Sequence, residues 1–146
     1  MLIVPPAGML KLIHRLVIEE EGEPGYMSEG MIEGCLERAI TYVYDFKPFP
    51  TIIMKAAAIM YCIIVFHPFV DGNKRTAVLA VFFFLYYNGY KFTIPDDSVE
   101  FTIAIAEFKK SERQIAAWIH KNSRRSVRAL MSNLILTVLY YIRLIP

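Results

Sequence analysis

Net charge is nearly absent from this chain: 16 Lys and Arg against 14 Asp and Glu in 146 residues leave +2 at neutral pH. That balance gives no basis for broad nucleic-acid binding, and no direct nucleic-acid contact is expected. Histidine is sparse too, and His14, His67 and His120 lie too far apart in sequence for a His-based metal site. The two cysteines, Cys35 and Cys62, sit in apolar helical contexts and read as reduced core residues of an intracellular protein. Zinc-finger, P-loop and dinucleotide fingerprints are missing. The opening Met1 to Pro6 lacks the basic region of a signal peptide and soon meets proline, so a cytoplasmic location is expected.

What is present is apolar helix-forming sequence. Hydrophobic residues make up 55% of the chain, enough for one domain with one sizeable core. Met9 to Glu21 reads as a first helix, with Leu10, Ile13, Leu16 and Val17 on one face. A second runs from about Glu29 to Tyr44, with Ser28 as its cap. Ile53 to Phe66 is apolar nearly all round and reads as a buried central helix. A fourth starts near Lys74 and ends near Asn88, with Gly89 as C-terminal cap. Asp97 and Glu100 read as a capping pair for a fifth helix reaching about Phe108, and Ser111 to Gln114 as the capping box of a sixth carrying Trp118.

Between the third and fourth helices lies the segment with the most chemistry, His67-Pro68-Phe69-Val70-Asp71-Gly72-Asn73-Lys74-Arg75-Thr76-Ala77. Pro68 forces its predecessor out of the α region, so the motif is a helix–loop–helix N-terminus. A helix N-terminus carries free N–H groups and positive partial charge, to which Lys74 and Arg75 add two cations of the wrong sign for the dipole. An anion at that point would relieve the mismatch. Gly72 and Asn73 tolerate the dihedrals that turn N–H groups inward, so a phosphate is the expected ligand. Asp71 beside a phosphate makes sense as a Mg²⁺ ligand. His67 is placed to take a proton near neutral pH. Phe69 is expected to point into the core and anchor the loop. Taken singly each residue has a structural reading: helix end, turn, solvated first turn. Together they favour a reaction site. His14 lies within reach of it, but a structural role is the reading preferred for His14; His120 reads as exposed.

The motif resembles that of the Fic/Doc family, H-x-F-x-[D/E]-G-N-G-R-x-x-R. His67, Phe69, Asp71, Gly72, Asn73 and Arg75 match, while Lys74 replaces the second glycine and Val78 the second arginine of the Fic branch. The form with Lys-Arg-Thr-Ala is typical of the Doc ("death on curing") branch. The resemblance extends over about residues 9 to 123, through Gly25 to Ser28, Tyr86 to Tyr90 and Ile115 to Ile119.

The resemblance implies an all-α fold, a helical bundle of about six helices around the central helix–loop–helix motif. It implies a toxin of a toxin–antitoxin module that uses Mg-ATP to transfer the γ-phosphoryl group to a hydroxyl of a protein, with a translation factor as target and an antitoxin as partner. His67 would be the base, Asp71 the Mg²⁺ ligand or orienting group, and Gly72, Asn73, Lys74 and Arg75 the phosphate cradle. Alternatives are a Fic-type AMP transferase that manages without the second arginine, and an inactive binding module. The family also places a target-positioning flap at Asp45 to Thr51, where an ordinary helix connection is the other reading. Ser28 to Gly34 approximates the inhibitory-helix pattern of some relatives but is one residue too long, so it is read as coincidence.

Residues 1–123 are expected to form the family domain and 124–146 an apolar helical extension. The run 129–142 is uncharged but spans only about 21 Å as a helix, short of a roughly 30 Å bilayer core, so membrane association is the weaker option. Ser132, Asn133, Thr137, Tyr140 and Arg143 fall within about 140° of a helical wheel. One polar stripe beside a wide apolar face fits packing on the chain's own core or a homodimer through residues 129–145.

Overall fold

Three helices begin where a hydroxyl cap meets a backbone N–H three residues on. Ser28 accepts from Met31 at 3.2 Å, Thr51 from Met54 at 3.1 Å and Ser111 from Gln114 at 3.3 Å. Gln114 returns the contact to the Ser111 N–H, completing a capping box. The computed structural model describes residues 2–41, 43–44, 46–128 and 131, and only the backbone of Glu20. Within them the chain is mostly helical: α1 (Ala7–Glu20), α2 (Glu29–Ile40), α3 (Ile52–Phe66), α4 (Asn73–Tyr87), α5 (Ser98–Ala106) and α6 (Glu112–Lys121). The all-α bundle of six helices expected from the sequence is therefore observed.

α3 is the axis of the bundle, packing against α2, α4, α5 and α6, with α1 closing over α4. Its apolar circumference follows from that position: Ile53, Ala56 to Met60 and Cys62 to Ile64 are all buried. Three alanines in succession let neighbouring helices approach closely. Cys35 and Cys62 are free and buried. α4 ends where Gly89 takes a φ of 81°, as the glycine there required.

Four local features differ from the sequence reading. α2 stops at Ile40 rather than Tyr44: Thr41 turns to extended backbone (φ −68°, ψ 138°), and its hydroxyl and N–H both donate to the Glu37 carbonyl (2.8 and 2.9 Å). Beyond it Val43 and Phe46 exchange backbone hydrogen bonds at 2.9 Å across Tyr44, giving the connection a tight, exposed turn. Asp97 stands at the start of α5 without capping it; its carboxylate accepts the Trp118 indole N–H at 3.1 Å. A two-stranded antiparallel ribbon joins β1 (Tyr90–Phe92) to β2 (Ser123–Arg125), pairing Tyr90 with Arg125. Strands of three residues are too short to show alternation. β2 crosses the boundary expected at 123–124. The dimer face at 129–145, apart from Met131, and with it most of the extension expected at 124–146 lie outside the described residues, as do Tyr42 of the expected second helix and Asp45 of the expected flap. Among the described residues no helix is long and apolar enough to cross a membrane.

Candidate active site

α3 ends at His67, which takes a left-handed conformation (φ 48°, ψ 60°) immediately before Pro68. A non-glycine residue there is uncommon, and such backbone persists when its surroundings hold it. They do so here. The Met27 N–H donates to the Pro68 carbonyl at 2.8 Å and the Val70 N–H to the Gly25 carbonyl at 3.0 Å, so residues 68–70 pair with residues 25–27. The backbone of Phe69 faces the other way, where the Asn73 side chain accepts from its N–H at 3.0 Å and donates to its carbonyl at 2.8 Å.

The Phe69 ring is buried, as expected of the loop anchor, and lies flat on the His14 ring with centroids 4.1 Å apart and planes 9° from parallel. His14 is itself only 4% exposed, and its Nε2 donates to the Asp71 carbonyl oxygen at 2.8 Å. The structural role preferred for it is therefore observed, directly behind the motif loop.

The Asp71 carboxylate is exposed to solvent and is held from two sides. Its Oδ1 accepts the Gly72 N–H at 2.5 Å and its Oδ2 the Glu23 N–H at a longer 3.4 Å. These N–H groups, Gly72 first, hold the carboxyl below its usual range; a small desolvation opposes them, and Arg75 and His14 help them. Gly22 lets the carboxylate sit so close: a Cβ there would stand 2.8 Å from Asp71 Oδ2.

Gly72, with φ 72°, caps α4, and the first-turn N–H groups of Asn73, Lys74 and Arg75 have no intrahelical carbonyl to reach. The two cations diverge. Lys74 is half-buried and makes no hydrogen bond or ion pair among the described residues. Arg75 folds back on the C-terminal end of α1, donating to the Val17 carbonyl at 3.2 Å and the Glu21 carbonyl at 2.8 Å. The negative end of α1 thus answers the Arg75 charge.

A cleft of about 880 Å³ opens over this loop. Its walls are Leu16 and Val17 of α1, Val78 and Leu79 of α4, and Ser98, Val99, Thr102 and Ile103 of α5. His67, Val70, Asp71, Gly72, Asn73, Lys74 and Arg75 form its polar end. Every polar residue singled out in the motif therefore shares one cavity. Two of them also brace the loop: the Asn73 amide bonds the Phe69 backbone and the Arg75 guanidinium bonds carbonyls at the end of α1. The structural role of His14 was expected, though not its contact with the Asp71 carbonyl, and Gly22 was missed. For His14 the available signal was a polar residue on the apolar stripe Leu10, Ile13, Val17. For Gly22 nothing in the sequence marked the contact, because it spans about a third of the chain.

A family model described as the Fic/DOC family matches residues 6–85, more than half of the chain. The match runs from α1 to near the end of α4 and contains the whole motif. The chain is 37% identical over 68 residues to Toxin Doc of Mycolicibacterium smegmatis, an alignment covering 47% of this chain and 52% of that protein. The chain thus spans about half the length of the curated relative it matches. Motif, helical frame and matched span agree: the chain belongs to the Fic/DOC family.

Proposed function

We propose that this chain is a Doc-like toxin enzyme of a toxin–antitoxin module that takes the γ-phosphoryl group of Mg-ATP and places it on a hydroxyl of a target protein, a translation factor, in the cytoplasm. The observation that carries this reading is the division of labour in the cleft. Asp71 is kept ionised by backbone donors, whereas His67 and Lys74 beside it have no hydrogen-bond partner among the described residues. A structural turn would tie such groups down; a phosphoryl-transfer site needs a base and a cation available to its ligand.

The donor set fits Mg-ATP. An ionised carboxylate beside a helix N-terminus suits Mg²⁺ shared with phosphate oxygens. Asp71 would hold the ion, and Lys74 with the first-turn N–H groups of α4 would hold the phosphates. When bound, Mg-ATP supplies the electrophilic phosphorus and the leaving group, ADP. His67 would accept the proton of the target hydroxyl as its oxygen bonds to phosphorus, and Lys74 would offset charge on the transferring group. Val78 supports γ- over α-phosphoryl chemistry: where the Fic branch has its second arginine, this cleft has a buried apolar wall.

The test is incubation of the purified chain with a translation-competent extract and Mg-ATP labelled on the γ- or the α-phosphate. Label from the γ position alone, lost in His67→Ala while the melting temperature is kept, is the expected result. Label from the α position would replace the reading by AMP transfer. No label with Mg-ATP, and no Mg-dependent ATP binding, would replace it by a binding module.

A further inference from the structure

The Asp71–Gly72 peptide has two faces, and the site uses only one of them. In a planar trans peptide the carbonyl and the following N–H point in opposite directions. The Asp71 carbonyl points inward to His14 Nε2, so the Gly72 N–H points outward, to Asp71 Oδ1. Gly72 provides no steric barrier to the opposite arrangement, because a residue without Cβ accepts either sign of φ. Turned over, the peptide would offer the cleft a carbonyl oxygen where it now offers a donor, and would take from the Asp71 carboxylate its shorter hydrogen bond. That change needs only the dihedrals on either side of one peptide, leaving α3 and α4 in place.

We infer that His14 is the positioning residue that fixes this peptide. Its Nε2 is the group that holds the Asp71 carbonyl, and the ring cannot drift, since it is buried on α1 and stacked on Phe69. A loop that contains the glycine needed for a sharp helix start thereby gains one defined orientation from a residue 57 positions earlier in the chain. The kinetic consequence rests on the phosphoryl-transfer reading; the conformational one does not.

Isotope-labelled full-length chain tests both. Imidazole nitrogen shifts of the wild type should report a proton on Nε2 of His14, and the Gly72 amide proton should appear as one downfield peak. His14→Phe keeps the stack on Phe69 and removes the donor. In it the Gly72 amide should move upfield and broaden or double, with the amides of α3 and α6 unchanged. His14→Gln restores a donor and should return the peak part of the way. In the label-transfer assay kcat should fall about 10- to 100-fold in His14→Phe, with KM for ATP nearly constant and partial recovery in His14→Gln. An unprotonated Nε2 in the wild type, a measurement that needs no variant to fold, would overturn the inference. An unchanged Gly72 amide in His14→Phe would do the same. Wild-type protein that transfers no label would remove the kinase reading and leave the spectroscopic result to decide the inference by itself.

Discussion

Asn73→Ala separates two roles that the motif pattern cannot distinguish. The sequence reading gives Asn73 a place in the phosphate cradle through its backbone; in the structure its side-chain amide closes the loop on the Phe69 N–H (3.0 Å) and carbonyl (2.8 Å). Both residues are buried, at 6% and 1% exposure, so water cannot replace the lost partners. Two hydrogen bonds worth about 1 kcal/mol each, plus the desolvation penalty of the stranded peptide groups, put the loss of stability at about 2–4 kcal/mol. A domain of this size moves by about 2–4 °C per kcal/mol, so the melting midpoint should drop by roughly 5–15 °C. Asn73→Asp keeps the acceptor for the Phe69 N–H but sets a second oxygen against the Phe69 carbonyl, and should cost at least as much. Calorimetry of wild type and both variants checks this, with Mg-ATP binding measured well below the lower midpoint. An Asn73→Ala midpoint within about 2 °C of wild type, accompanied by weakened Mg-ATP binding, would refute the loop-closing role and return Asn73 to the ligand.

Gly22→Ala should destabilise by about 1–3 kcal/mol in urea unfolding, since its φ of 138° suits glycine alone and the new Cβ would press on Asp71 Oδ2 and on the Ile18 side chain at 3.2 Å; unchanged stability would mean that the 22–23 turn gives way freely. The Asp71 carboxyl is held below its ordinary range, so its contribution is present above that range and is lost as pH falls through the lowered native value. The gap in urea midpoint between wild type and Asp71→Asn should therefore narrow from neutral to acid pH, and a widening gap would contradict the assignment. Lys74→Met should weaken Mg-ATP binding with little effect on melting. Arg75→Met should lower stability by about 1 kcal/mol, a figure reduced for solvent screening, by releasing the Val17 and Glu21 carbonyls. The reverse pattern, measured by calorimetry on the same two variants, would exchange the roles of the two cations.

Local rules made much of this molecule legible. The caps at Ser28 and Ser111, the proline stop after His67, the glycine after α4 and the apolar circumference of α3 each follow from residues within one or two turns. What the sequence hid depends on partners far along the chain. Lys74 and Arg75 look alike as two adjacent cations at a helix start, and only the arrival of the α1 C-terminus beside Arg75 tells them apart. Asp97 followed by Glu100 has the form of a capping pair, but the indole of Trp118 competes for its carboxylate and wins. The ribbon of Tyr90–Phe92 with Ser123–Arg125 is set by a register between segments some thirty residues apart, which a three-residue pattern cannot encode.

The same long-range contacts explain why the motif is held so firmly on one side and left open on the other. α1 and the turn after it supply the Asp71 carbonyl with His14, the Arg75 guanidinium with two carbonyls, and the Asp71 carboxylate with the Glu23 N–H. The strand-like contact with residues 25–27 holds Pro68 and Val70, and Asn73 holds Phe69. Phe69, Asp71, Asn73 and Arg75 are thereby each spoken for within the fold. Among the described residues His67, Lys74 and the buried Thr76 hydroxyl are the polar motif side chains without a hydrogen-bonding partner, and of these His67 and Lys74 line the cleft. Preorganisation works through such asymmetry: the frame is fixed before the ligand arrives, so that little order remains to be imposed when it does. An imidazole and a cation standing uncommitted beside a carboxylate held by backbone donors are the groups the proposed phosphoryl transfer would call on. Rigid frame and open pair together make a stronger case for the proposed chemistry than the motif letters do alone, because a degenerate copy of the motif could keep the letters and lose either one.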